Sequence, residues 1–250
     1  MFSEEENIAN KSEQREPVLN NGRTQGELPP LKRLSLLIIG SAGLFFVSFI
    51  AILFVLHTTK EYQSAITVII SYFVVFAVLI GVLAIDIPKY LEDFKNYKKY
   101  LYGLVFGAGI ILFTFLYTNF VNLFYPINTS SNESGVRSII DLFPFASIII
   151  LGIVGPLCEE LAYRVGLFGL LKKVNRVVAY VVSALIFGFL HFDFTSANLI
   201  NELIFLPTYI APGVLLAVAY DLFGLPCSWV AHSLNNLFAV IIQIIAGYLM

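Results

Sequence analysis

Seven apolar runs, at 34–56, 65–85, 101–125, 145–170, 177–194, 199–220 and 228–250, constrain this chain more than any other feature. Each approaches or exceeds the roughly 20 helical residues that cross a bilayer's hydrocarbon. In that medium a segment must satisfy its own backbone N–H and C=O groups, and a helix does so without neighbours. Composition agrees: 58% of the residues are hydrophobic and only 13% charged, with a mean hydropathy of +0.83. Soluble domains carry about a quarter charged residues. The expected fold is all-α: a multi-pass transmembrane bundle of about seven spans. Pro207 and Pro212 are expected to kink or split the sixth.

Residues 1–31 are polar and predict a disordered tail with no cleavable signal peptide. Residues 32–137 hold the first three spans, and 138–250 the remaining four. Basic residues cluster at Lys32/Arg33, at Lys89, Lys95, Lys98 and Lys99, and at Lys172, Lys173 and Arg176. These clusters alternate with loops poor in Lys and Arg. Basic loops stay in the cytoplasm, so the expectation is a cell-membrane protein with a cytoplasmic N-terminus. Asn128 and Asn132 begin N-x-[ST] matches in the loop 126–137, which matter only in a glycosylating host. The net charge of −2 speaks against nucleic-acid binding. Cys158 and Cys227, the two cysteines, imply neither a disulfide framework nor a cysteine zinc site. Internal repeats and a phosphate-binding glycine loop are absent, which weakens a transporter reading.

Chemistry concentrates in the last four runs. Glu159, Glu160 and Arg164 follow an apolar stretch, His191 ends F-G-F-L-H, and His232 and Asn236 interrupt the final run. Each charge near the bilayer centre costs about 2.5–3.5 kcal/mol on insertion scales, so such groups usually mark function. Measured along helices from the turn 172–176, Glu159 and His191 both lie roughly 20 Å away, whereas His232 lies only about 12 Å beyond Gly224. Glu160 and Arg164 are spaced to pair on one face, with Glu159 turned about 100° away. The same spacing sets His232 beside Asn236 and Phe187 beside His191. Asp193, Glu202 and Asp221 fall near segment ends and read as interfacial. The Phe- and Tyr-rich stripes read as packing or lipid-facing residues. One alternative for the polar set is a purely structural core, since membrane histidines often hydrogen-bond helices together. H-E-x-x-H and G-x-S-x-G are both missing, which removes two common protease patterns.

Three motifs in order, E-E-x-x-x-R at 159–164, F-x-x-x-H at 187–191 and H-x-x-x-N at 232–236, resemble the CPBP family of CAAX proteases and bacteriocin-processing proteins, which includes the type II CAAX prenyl endopeptidases. The resemblance covers about residues 145–238 and implies an intramembrane endopeptidase. By it, Glu159 and His191 would activate a water, His232 and Asn236 would bind the oxyanion, and Arg164 would orient the glutamates, chiefly Glu160. It further implies a peptide or lipidated-protein substrate: a prenylated C-terminus, or a leader or signalling peptide. Glu159, His191 and His232 could instead ligate zinc, which would make the chain an intramembrane metalloprotease. The metal-free mechanism, with no cofactor, is favoured. Two other classes stay open: a non-enzymatic immunity factor or scaffold, and, less favoured, a proton-coupled transporter.

Overall fold

The computed structural model describes residues 28–125 and 129–249, all helix or connecting turns. Most of the tail and the Asn128 sequon therefore lie outside the described residues. The helices are α1 (Pro30–Phe54), α2 (Lys60–Leu83), α3 (Ile87–Phe94), α4 (Tyr97–Asn122), α5 (Ser131–Leu142), α6 (Pro144–Leu171), α7 (Arg176–Phe189), α8 (Leu199–Phe205), α9 (Pro207–Phe223) and α10 (Leu225–Leu249). Among the described residues, six stretches are long and apolar enough to cross a membrane: α1, α2, α4, α6, α8 with α9, and α10. The fifth expected span, 177–194, is α7, which has 14 residues and rises only about 21 Å. It stops at Phe189, so His191 sits in the turn beyond it.

Local sequence sets the boundaries. Asn96, Ser130, Asn175 and Asn198 each cap the following helix by accepting a backbone N–H. Pro30, Pro144 and Pro207 stand in first turns, where their missing N–H costs nothing. Pro207 thus divides α8 from α9, whereas Pro212 stays inside α9. Gly224, at φ 85°, makes the turn into α10 with a backbone that other residues rarely adopt.

The central helix, α6, is the most buried of the spans. Two stretches of it, Ile150–Val154 and Glu160–Phe168, are wound as π-helix. Such winding is rare and gathers at functional sites. Its i→i+5 pattern packs more residues into each turn than an α-helix, so α6 rises less per residue. That shortening narrows the depth mismatch expected between the glutamates and His232, and His232 Nδ1 lies 3.0 Å from Glu160 Oε1. Around α6, α1 packs on α2 and the second π stretch, α7 on α9, and α4 on α10. Gly103 and Gly107 permit the last contact: a Cβ on Gly103 would come within 2.8 Å of the Cys227 carbonyl oxygen and Val230 Cβ, and one on Gly107 within 2.9 Å of the Ala231 carbonyl oxygen. Small residues are the usual means of such close helix approach in membranes.

The basic loops gather at one end. Lys32 pairs with Asp86, Lys99 with Asp93, and Asp221 accepts from Lys172, Arg176 and Tyr180. Asp221 and Glu202 stand at opposite ends of α8–α9 as expected, but both are buried rather than interfacial, because each has several donors to satisfy it. At the other end, Glu202 accepts from the Ser131 backbone and hydroxyl, tying α5 to α8.

Substituting leucine at Gly103 or Gly107 is expected to overpack the α4–α10 contact and cost about 1–3 kcal/mol. Gly109→Ala, where an added Cβ meets open space, is expected to keep or raise stability because alanine favours helix by up to about 1 kcal/mol. Thermal unfolding in detergent checks both.

Candidate active site

Glu160 lies on α6 with no exposed surface. Its Oε2 is 3.3 Å from Arg164 Nε, four residues on. Its Oε1 is 3.0 Å from His232 Nδ1 on α10. A carboxylate accepts only, so the imidazole donates here through Nδ1. Arg164, also fully buried, lies with its guanidinium carbon 4.8 Å above the Phe187 ring, on α7. One buried acid–base pair therefore joins three helices.

Glu159 points elsewhere. Its Oε1 accepts from the Tyr72 hydroxyl of α2 at 2.8 Å, and its Oε2 is 3.7 Å from His232 Nε2. His232 is thus flanked by both glutamates, hydrogen-bonded to one and facing the other. Gly155 gives the Tyr72 ring room, since a Cβ there would meet it at 3.3 Å. Tyr72 is one contact that sequence reasoning missed. It belongs to a span without motifs, where one tyrosine among many apolar residues gives no signal.

His191 is held by Phe187 and Tyr209. Its Nδ1 is 2.8 Å from the Phe187 carbonyl oxygen, again an acceptor that requires an Nδ1–H. Its ring stacks on Tyr209 of α9, with centroids 4.7 Å apart. Asn236 donates from Nδ2 to the Leu151 carbonyl at 3.1 Å, and its Oδ1 accepts from Asn235. One amide N–H of Asn236 is left over.

The acceptors on α6 follow a pattern. Leu151 O takes Asn236, Ile153 O takes Trp229 Nε1, and Val165 O takes buried Arg33 Nη1 at 2.6 Å. All three carbonyls belong to the π-wound stretches. The wide turn interrupts the i→i−4 ladder and presents carbonyl oxygens to neighbouring helices.

Glu159, His191, His232, Asn236 and Tyr72 all line one cavity of about 810 Å³. Glu160 and Arg164 lie behind its wall. The alternative zinc set does not converge: among the described residues, no three His, Cys, Asp or Glu side chains form a group that could hold a metal ion. Glu159, His191 and His232 share the cavity without meeting at one point, so they do not fit a zinc centre.

Residues 141–238 match the family model of type II CAAX prenyl endopeptidase Rce1-like proteins. The membrane-embedded CAAX protease MroQ of Staphylococcus aureus is 31% identical over 177 residues, 65% of this chain and 67% of MroQ. The chain belongs to the CPBP-type CAAX protease family. YdiL, a candidate membrane peptidase of Bacillus subtilis, is 29% identical over 187 residues, 70% of each chain. An uncharacterized protein of Mycoplasma capricolum is 30% identical over 174 residues, 64% of this chain but only 49% of that protein's length. No solved structure matches. Family membership places this chain among the membrane peptidases, which are hydrolases. The matched segment contains every motif residue from Glu159 to Asn236.

Removing a partner from a buried ion pair leaves a bare charge and costs about 3–5 kcal/mol. Glu160→Ala, which strands Arg164 and frees His232, is therefore expected to lower the detergent melting temperature sharply. Glu160→Gln, which keeps one acceptor for His232 Nδ1, is expected to fall between Glu160→Ala and wild type.

Proposed function

We propose that this protein is an intramembrane endopeptidase that hydrolyses a peptide bond in a membrane-associated peptide or lipidated protein without a metal ion. The observation that carries the reading is the arrangement around His232: Nδ1 on Glu160 at 3.0 Å, and Nε2 beside Glu159 at 3.7 Å, at the wall of the cavity.

Each residue then has a role. Glu159 is the general base. Its Oε1 is occupied by Tyr72, which leaves Oε2 to take a proton from a water in the cavity. His191 presents Nε2, because Nδ1 is bound to the Phe187 carbonyl, and helps hold that water. Attack on the scissile carbonyl creates an oxyanion. His232 Nε2 and the remaining Asn236 N–H donate to it; His232, flanked by both glutamates, is an imidazolium before attack, gives Nδ1–H to Glu160, and keeps its Nε2 proton through the cycle. Glu160 and Arg164 fix the imidazole. Glu159 finally passes its proton to the leaving amine. A water-poor cavity strengthens each of these electrostatic contacts. Tyr72 acts through Glu159 and is a positioning residue. The end bearing the basic loops faces the cytoplasm in this reading, as the Lys and Arg distribution requires.

Cleavage of quenched peptides by the purified protein in detergent tests this. Glu159→Gln is expected to abolish turnover. Asn236→Ala is expected to slow it about 10²–10³-fold, the usual effect of losing one oxyanion donor. Tyr72→Phe is expected to lower kcat and shift the pH profile while leaving KM near that of wild type. Activity unaffected by a strong chelator supports the glutamate–water mechanism. Loss on chelation with rescue by zinc overturns it, and equal turnover by Glu159→Gln and wild type removes the enzyme reading.

A further inference from the structure

The catalytic cavity has a closed end and an open end. Towards the basic loops its lining stops at Ala108 on α4 and His232 on α10, and beyond them aromatic rings pack on one another: Tyr102 on Phe223 at 4.2 Å, Phe106 on Phe223 at 6.2 Å, and Phe94 on Trp229 at 5.6 Å. Below the site, Gly103 and Gly107 bring α4 against α10, and Asp221 with Lys172 and Arg176 ties the loops together. In the other direction the cavity wall continues to Thr118, Asn132, Glu133, Arg137 and Gln243. These residues stand at the far ends of α4 and α10 and on α5, opposite the basic loops. They form a polar mouth.

The cavity is also open sideways. Leu112 and Phe115 of α4 and Phe238 and Ile242 of α10 line it, yet they are 57%, 61%, 49% and 51% exposed. Residues that belong both to a cavity wall and to the outer apolar surface mark a gap between two helices. Here the Gly103–Gly107 stretch of α4 touches α10 at Cys227–Leu234, and the gap lies at the other end.

The side follows from charge. Among the described residues outside the bundle interior, Lys32, the lysines of 89–99, Lys172, Lys173 and Arg176 lie at one end, against Lys60 and Arg137 at the other. A bias of this size orients a membrane protein with the basic end in the cytoplasm.

We infer that the catalytic cavity is entered from the extracytoplasmic side, laterally through the gap between α4 and α10, and that its substrate is an apolar polypeptide segment residing in that leaflet. This rests on the peptidase reading and narrows it. A lipidated C-terminus in the cytoplasm meets the end where the lining stops, whereas a segment that has crossed or entered the membrane meets the open one. The gap's apolar sides suit a chain leaving lipid, and the polar mouth suits its hydrated flank.

The test does not depend on cleavage. Thr118→Cys and Ala239→Cys at the opening, and Lys173→Cys at the basic end, are expressed separately in full-length chains in bacterial spheroplasts. Native Cys158 and Cys227 have no exposed surface, so their background is low. A membrane-impermeant maleimide added outside is expected to label both opening variants. Lys173→Cys is expected to stay unlabelled until the membrane is permeabilised. An apolar peptide with a photoreactive group, added outside, is expected to crosslink to the Glu159→Gln protein, and prior maleimide labelling of Ala239→Cys is expected to abolish this. Labelling of Lys173→Cys alone from outside overturns the orientation. Opening variants that stay unlabelled after permeabilisation overturn the gap, and crosslinking that survives the block overturns the lateral route. If these results hold while no peptide is cleaved, the peptidase reading fails and the access route stands.

Discussion

The structure depends on the need to neutralise Glu160. A carboxylate with no exposed surface, inside a protein that itself sits in hydrocarbon, is tolerable only with a counter-charge and a hydrogen-bond donor beside it. Arg164 supplies one from the next turn of α6, and His232 supplies the other from α10. Arg164 then reaches α7 through the Phe187 ring. Helices α6, α7 and α10 are thereby locked in register where precision matters. His232 is turned so that its second nitrogen meets Glu159 and the cavity.

The π-wound stretches of α6 do complementary work. They spend intrahelical regularity to expose carbonyls at Leu151, Ile153 and Val165, and a side chain from another helix occupies each one. Asn236, assigned to the oxyanion, is aimed by the first of these. Arg33 also shows why a charge at the start of α1 is buried rather than solvated: it enters the bundle to reach Val165. The same α6 that carries the two glutamates therefore organises residues contributed by α1 and α10. This fits a site whose groups must be held to within a fraction of an ångström before substrate arrives.

Much of this was legible in the sequence. Apolar runs of span length dictate helices, and isolated charges inside such runs stand out against a medium that penalises them. Glu159, Glu160, Arg164, His191, His232 and Asn236 stood out for that reason; Glu159, His191, His232 and Asn236 line the cavity, and Glu160 and Arg164 lie behind it. The winding of α6 was not visible. Depths reckoned at a uniform rise put His232 too far from the glutamates, and only tertiary packing decides where a helix widens into π turns. Tyr72 and Tyr209 were hidden too, because a tyrosine that holds a catalytic group and one that faces lipid read alike. The shortness of α7 escaped notice since Leu190, Phe192 and Phe194 continue the apolar run after the helix has ended, leaving His191 in a turn.

The central claim is that both histidines are pinned through Nδ1, His232 by Glu160 and His191 by the Phe187 carbonyl, so that each turns Nε2 to the cavity. The chain has three histidines, and His57 can be assigned by substitution. Nitrogen-15 NMR of histidine-labelled protein in detergent micelles reads the protonation of each ring nitrogen directly. The expected result is a protonated Nδ1 on both His191 and His232, with the His232 signal moving when Glu160 becomes Gln. A bare Nδ1 on His232 in the wild-type protein would contradict the arrangement on which the site is built.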